Sequence, residues 1–335
     1  MATIQLAIYE LEIVAQEKML LPPFKGATLR GGFGSVFKSL TCVTPELCRK
    51  SCCSGIQCPY GYIFETPVPS DSEKMRKYPY APHPFIIDPP SDKRTDYEPG
   101  DRFTFRLILI GKSIDYLPYF IYTFEELGHI GIGKGRAHYN LSQVWSLNLQ
   151  GSRSLLYGAE KQILKTGGDP LRFDLSPEEF PYQGHLAVTF LSPLRLQFEQ
   201  GIEFSPEFHA LLRSLLRRIS LLAYFHQGIE LDKELDFRQL IHLAEGIKTI
   251  EKRYRPYTWN RYSNRQDKAI QMDGIIGEGI YQGDFAPFMP FLKLGEWIHL
   301  GKSTAFGMGL YRMAFRSNTS KPDLQPLPEY LTVQE

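Results

Sequence analysis

Two glycine-rich segments repeat at one fixed offset, and that repetition restricts the possible folds more than any other feature of the chain. His129-Ile-Gly-Ile-Gly-Lys-Gly-Arg-Ala-His138 aligns with Trp297-Ile-His-Leu-Gly-Lys-Ser-Thr-Ala-Phe306, and Gly301 falls 168 residues after Gly133, half of the 335-residue chain. At that offset Ile130 meets Ile298, Lys134 meets Lys302 and Ala137 meets Ala305, with Ile132 opposite Leu300. Each segment follows an apolar stretch that opens near a proline and closes in Leu-Gly, from Pro118 to Gly128 and from Pro287 to Gly295. Glycine turns resemble one another by chance wherever φ is positive, but the matched flanks and the half-chain offset point to a duplication.

The two halves also begin alike. Ile4, Leu6 and Ile8 alternate as a half-buried strand does, and so do Leu186, Val188 and Phe190. Helical spacing follows in each case, through Leu29, Phe33, Val36, Phe37 and Leu40 and through Leu211, Leu212, Leu215, Leu216, Ile219 and Leu222. The order strand, helix, strands, helix, glycine loop, strand predicts an α+β fold of two tandem ferredoxin-like, RRM-like βαββαβ domains, with a glycine-rich loop near the C-terminus. The expected domains are residues 1–178 and 179–335. They are joined where Gly-Gly-Asp-Pro and Ser-Pro-Glu-Glu break the pattern, around Gly167–Tyr182.

With 43% hydrophobic and 22% charged residues the chain has an ordinary globular balance, which argues against general disorder and fibrous folds. Its apolar runs fall far short of the ~20 residues that cross a bilayer, and Met1–Leu6 lacks a basic n-region followed by an apolar core. A cytoplasmic protein without a membrane span is expected. The formal net charge of +1 gives no reason to expect a polyanion, but its distribution does. Between Lys248 and Lys268 lie Lys248, Lys252, Arg253, Arg255, Arg261, Arg265 and Lys268 against Glu251 and Asp267, interleaved with Tyr254, Tyr257, Trp259 and Tyr262. Cations that hold phosphates beside aromatic faces that stack on bases suit single-stranded or hairpin RNA. The structural alternative is a solvated helix end whose aromatics return to the core.

Gly301-Lys302-Ser303 invites comparison with a phosphate-binding loop but fails the spacing, because Glu296 stands where the first glycine belongs. Its backbone N–H groups can still cradle phosphate oxygens in a nest, with Lys302 adding charge. All five cysteines fall within seventeen residues: Cys42, Cys48, Cys52, Cys53 and Cys58. In a cytosolic chain clustered thiols favour metal, so a structural zinc on Cys42, Cys48, Cys52 and Cys58 is expected in an insertion over about residues 41–66, with reduced loop cysteines as the alternative. Among the eight histidines, His299 stands two residues before Gly301, where the first half has Gly131, so the second copy has gained a titratable ring. His226, closing the expected helix, is the next candidate.

At these residues the sequence resembles a known family, the CRISPR precursor-RNA-processing endoribonucleases of the RAMP superfamily, the "Cas six" proteins. The strongest motif is Gly295-Glu-Trp-Ile-His-Leu-Gly-Lys-Ser-Thr-Ala-Phe-Gly-Met-Gly309. Also similar are Arg261-Tyr-Ser-Asn-Arg-Gln266 before Gly274, Gly26-Ala-Thr-Leu-Arg-Gly31, and Cys58-Pro-Tyr-Gly-Tyr-Ile-Phe-Glu65. The resemblance implies a protein that binds repeat RNA and cuts the CRISPR precursor with the substrate's own 2′-hydroxyl, leaving a 2′,3′-cyclic phosphate without a catalytic metal or other cofactor. His299 is then the base or acid, Lys302 or Arg265 steadies the charged phosphorane, and His226 is a secondary catalytic candidate. The expected RNA-binding set is Arg30, Lys134, Arg136, Lys252, Arg253, Arg255, Arg261, Ser263, Gly301, Ser303 and Thr304. Effector-complex subunits and a second copy of the chain are further candidate partners. One departure stands out. Relatives often carry a histidine near the first helix, whereas Gly26–Leu40 has none and the earliest is His83, so Lys38 or Arg30 is the alternative contribution from that helix. A non-catalytic RAMP subunit that holds guide RNA and an ATP-binding enzyme using Lys302 are the competing readings.

Overall fold

The structure is a computed structural model that describes residues 2–42, 55–92, 94–160, 165, 169–177, 182–198, 201–263 and 268–316, with the backbone alone for 198, 260–263, 268, 269 and 316. These residues form two compact units, one of residues 5–172 and 221–229, the other of residues 1–4, 173–220 and 230–335.

In the first unit the chain runs through β1 (Thr3–Ala15), α1 (Gly26–Thr41), β2 (Phe85–Asp88), β3 (Arg102–Ile110), α2 (Leu117–Ile130), β4 (Tyr139–Leu147) and β5 (Arg153–Gly158). The strands lie in the order β2-β3-β1-β4-β5 and every pair is antiparallel. The central strand pairs Leu6 with Ile110 on one side and Ile8 with Leu147 on the other. α1 forms where the apolar spacing predicts it and buries Leu29, Phe33, Val36 and Phe37, while Leu40 lies on the exposed face. Phe33 stacks on Phe37 at 5.0 Å and on Phe120 of α2 at 4.6 Å, so one aromatic layer joins both helices. Gly34 is required there, since a Cβ would sit 2.1 Å from the Phe64 ring.

The second unit has β6 (Gln183–Leu194), α3 (Phe208–Gln227, up to Ser220 in this unit), α4 (Phe237–Glu245), β7 (Lys248–Ser263), β8 (Lys268–Asp284), α5 (Met289–Ile298) and β9 (Tyr311–Arg316). Its strand order is β7-β8-β6-β9, again antiparallel throughout. With α4 set aside, this repeats the chain order and sheet order of β1, α1, β2, β3, α2 and β4. Residues Leu186–Phe190 of β6 are buried without alternation, because this strand is interior and covered on both faces.

The basic stretch is neither a helix end nor a loop. β7 and β8 pair from Lys248↔Gln282 to Ser263↔Lys268, with one register shift between Thr249 and Glu251, whereas β8 pairs with β6 only between Ile275 and Asp284. The far end of the hairpin, residues 257–263 and 268–274, therefore extends past the four-stranded sheet as a two-stranded ribbon.

Candidate functional site

In the second unit the glycine loop joins α5 to β9, the place that residues 131–138 hold between α2 and β4. Five of its residues have positive φ: His299 (60°), Gly301 (83°), Ser303 (61°), Gly307 (81°) and Gly309 (75°). That backbone folds the loop against the end of β6. Lys302 N–H donates to the Arg195 carbonyl at 2.9 Å, Gly309 N–H to Pro193 at 3.0 Å and Leu300 N–H to Gly309 at 2.9 Å. Ser192, 2% exposed, donates its hydroxyl to the Gly307 carbonyl and accepts Leu310 N–H. Phe306 and Gly307 N–H groups close turns inside the loop. The N–H groups of Leu300, Lys302, Phe306, Gly307 and Gly309 are thus bonded to protein carbonyls, which corrects the expectation of a backbone phosphate nest over those positions. Lys302 itself is exposed on the loop, Gly301 and Ser303 are half-buried, and Thr304 is buried at 6% exposure.

His299 is fully buried at 0% exposure, against the expectation of a ring presented to substrate. It ends α5 with φ 60°, and that turn sends the ring inward, where Nδ1 lies 3.2 Å from the Met308 carbonyl. Its placement fastens the loop to the helix end. Arg218, which carries no signal in the sequence, works beside it: its Nε donates to the Ile298 carbonyl at 2.9 Å. Burial pulls the Arg218 guanidinium down to about 9, and its Nη2 finds no acceptor among the described residues.

Along β7, Arg253, Arg255, Tyr257 and Trp259 share one face by strand alternation, and the Tyr257 and Trp259 rings lie 5.6 Å apart. Lys252 points the other way, with Nζ 2.5 Å from Glu207 and 2.9 Å from the Ser205 carbonyl, so it braces the start of α3 and is not an outward cation. Arg253 is forked onto Glu251, an exposed pair that solvent screens strongly and that a phosphate can displace. Arg261 and Ser263 lie on the ribbon, opposite Ile270 and Lys268. Arg265 lies outside the described residues.

The first unit gathers a second group of polar side chains. From α1, Arg30 reaches out over the Phe64 ring at 4.1 Å and brings Nη2 to 3.1 Å from His83 Nε2. The other ring nitrogen of His83 lies 2.8 Å from Thr66 Oγ1. Thr66 ends a single π-helical turn, Gly61–Glu65, in the left-handed region at φ 48°, and its carbonyl accepts Ala81 N–H at 2.8 Å. A β-branched residue in that region is strained, and such strain gathers at functional sites. His226 is 2% exposed, contrary to a direct catalytic role; its Nε2 donates to the Pro82 carbonyl at 2.7 Å and so holds the residue next to His83. Lys134 and Arg136 are exposed on the first glycine segment. Cys42 and Cys58 are buried, unbridged thiols on either side of residues 43–54. Cys48 and Cys52 fall outside the described residues.

Residues 188–311 match the family model of the CRISPR-associated endoribonuclease Cas6. Over that stretch, rather more than a third of the chain, the sequence is similar to the Cas6 family. Residues 4–168 match a separate family described as an N-terminal domain. An uncharacterized protein of Archaeoglobus fulgidus is 24% identical over 298 residues, which cover 88% of this chain and 92% of that one. The chain also shares its fold with the structure titled "Cas6 (TTHB231) product complex", at a TM-score of 0.51 and 16% identity over 92% of this chain and all of that one. A second structure of the same Thermus thermophilus protein gives a TM-score of 0.49 at 15% identity. The Cas6 match runs from Val188 within β6 to Tyr311, the first residue of β9, and takes in both the basic hairpin and the glycine loop. None of the described helices is long and apolar enough to cross a membrane.

Proposed function

We propose that this chain is an endoribonuclease that binds CRISPR repeat RNA and processes the precursor by 2′-hydroxyl attack, without a catalytic metal, leaving a 2′,3′-cyclic phosphate. The observation that carries the reading is the family match over 188–311, which coincides with the basic ribbon and the Lys302 loop. The repeated chain and sheet order supports reading both halves as tandem ferredoxin-like units of the RAMP type. Along β7, Arg253 and Arg255 supply charge beside the Tyr257 and Trp259 rings at the start of the ribbon, the mixture that holds a sugar-phosphate strand and stacks its bases. The burial of His299 favours one alternative, a non-catalytic RAMP subunit that only holds guide RNA. Cleavage of a labelled repeat transcript separates the two readings, since a pure binder shifts the RNA and leaves it whole.

The interface is tested through salt. Lys302→Ala and Arg255→Ala should each weaken binding of the repeat transcript. Each should also flatten the slope of log K against log salt by ~0.7 for every single-strand phosphate that the variant no longer neutralises. Fluorescence anisotropy from low to moderate salt measures both. An unchanged slope in either variant takes that residue out of the interface.

A further inference from the structure

We infer that His83 is the general base of the proposed cleavage, with Arg30 as the cation that receives the charge developing on the phosphate. The inference deepens the reading above and rests on it. Hydrogen-bond chemistry fixes the roles. A guanidinium only donates, so at 3.1 Å from Arg30 Nη2 the His83 Nε2 is the acceptor, and its lone pair faces the cation. The neutral ring then carries its proton on Nδ1, which donates to Thr66 Oγ1 at 2.8 Å. The tautomer with a basic Nε2 is the one a proton acceptor needs.

The surroundings hold that arrangement in place from several sides. Thr66 is fixed by its N–H to the Gly61 carbonyl at 2.7 Å and by its own carbonyl to Ala81. The Pro82 carbonyl is held by His226, and the rings of Phe64 and Phe85 flank His83 at 6.3 and 5.8 Å. Arg30 and His83 are both half-buried, whereas Thr66 and His226 are buried, so the pair that would meet substrate keeps access to solvent and its supports do not.

The step balances without an added reagent. The proton of the substrate 2′-hydroxyl passes to His83 Nε2 as the 2′ oxygen bonds to phosphorus; the bond from phosphorus to the 5′ oxygen breaks, that oxygen takes a proton from water, and the imidazolium returns its proton to water. For that transfer the substrate hydroxyl takes the place of the Arg30 N–H at the Nε2 lone pair. The displaced guanidinium N–H is then free to donate to the phosphate oxygens as their charge grows.

The test is single-turnover cleavage and binding of a 5′-labelled CRISPR repeat transcript in EDTA. His83→Ala should slow cleavage by ~10²–10⁴-fold while Kd stays within about threefold. His83→Asn, whose amide can keep the donor to Thr66 but has no basic nitrogen, should be as slow. Arg30→Ala should lose at least about tenfold in rate as its charge leaves the phosphate. A wild-type enzyme that cuts while His83→Ala cuts as fast overturns the inference and leaves the proposed function standing. Parallel losses of rate and binding, or recovery of the rate in His83→Asn, overturn it by making His83 structural. A wild-type protein that binds the transcript and never cuts it overturns the proposed function and the inference together.

Discussion

Replacing Gly309 with alanine should destabilise the second unit by ~3 kcal/mol or more, well beyond what its left-handed backbone alone would cost. The residue has φ 75°, a conformation that costs an L side chain ~1–2 kcal/mol. The larger effect is steric. A Cβ there would lie 1.8 Å from the Leu300 carbonyl oxygen, inside any tolerable contact. Leu300 cannot simply withdraw, because its N–H is bonded to the Gly309 carbonyl while Gly309 N–H is bonded to Pro193. Relief means parting the loop from β6, and the Met308 carbonyl beside His299 would move with it. Gly135 is the control. It has φ 89° in the other glycine segment, yet nothing lies within 4 Å of a Cβ placed there, so Gly135→Ala should cost only the backbone term. Urea unfolding followed by circular dichroism measures both. Equal losses would mean that the loop is not locked as described.

Alkaline unfolding should be abrupt. Tyr139 and Tyr311 are buried and Tyr254 is half-buried, and loss of solvent holds each hydroxyl well above the usual phenol range, while Tyr9 is pushed up to about 12. In the unfolded chain these phenols lose their protons near pH 10. Below that pH both states are protonated and the groups leave stability unchanged. Above it the unfolded chain binds fewer protons than the folded one, so stability falls as pH rises, by ~1.4 kcal/mol per pH unit for each such tyrosine. Acting together in one unit, Tyr254 and Tyr311 should remove several kcal/mol between about pH 10 and 12. Absorbance at the tyrosinate band and far-UV dichroism should then change in one step. Gradual ionisation with the fold intact would show that these hydroxyls are reachable by solvent.

Much of the architecture is legible in the sequence because duplicated local chemistry repeats in the same order. Glycines in the paired segments mark positive φ at Gly133 and Gly301, and the apolar spacing of Leu29, Phe33 and Phe37 reads directly as a helix face. Side-chain direction is harder to read. His299 next to Gly301-Lys302 looks presented, yet its place at the end of α5 turns it into the interior. Lys252 looks like one more cation in a basic run until strand alternation sends it toward Glu207. His83 is the least legible of all. It lies 53 residues from Arg30 in a proline-rich stretch without periodicity, and only tertiary packing of the π-helical turn against α1 brings the two together. Arg195, whose carbonyl anchors Lys302, has no sequence signal either.

If the chain cuts RNA through the substrate's own 2′-hydroxyl, removing that one oxygen must abolish the reaction and leave binding intact. The direct measurement is single-turnover cleavage in EDTA of a labelled repeat transcript, set beside the same RNA with one 2′-deoxy substitution 5′ of the cut. The all-RNA substrate should be cut to a 2′,3′-cyclic phosphate end, and the deoxy substrate should be bound but stay whole. Cleavage of the deoxy substrate, or an all-RNA substrate that survives EDTA uncut, would contradict the proposed chemistry.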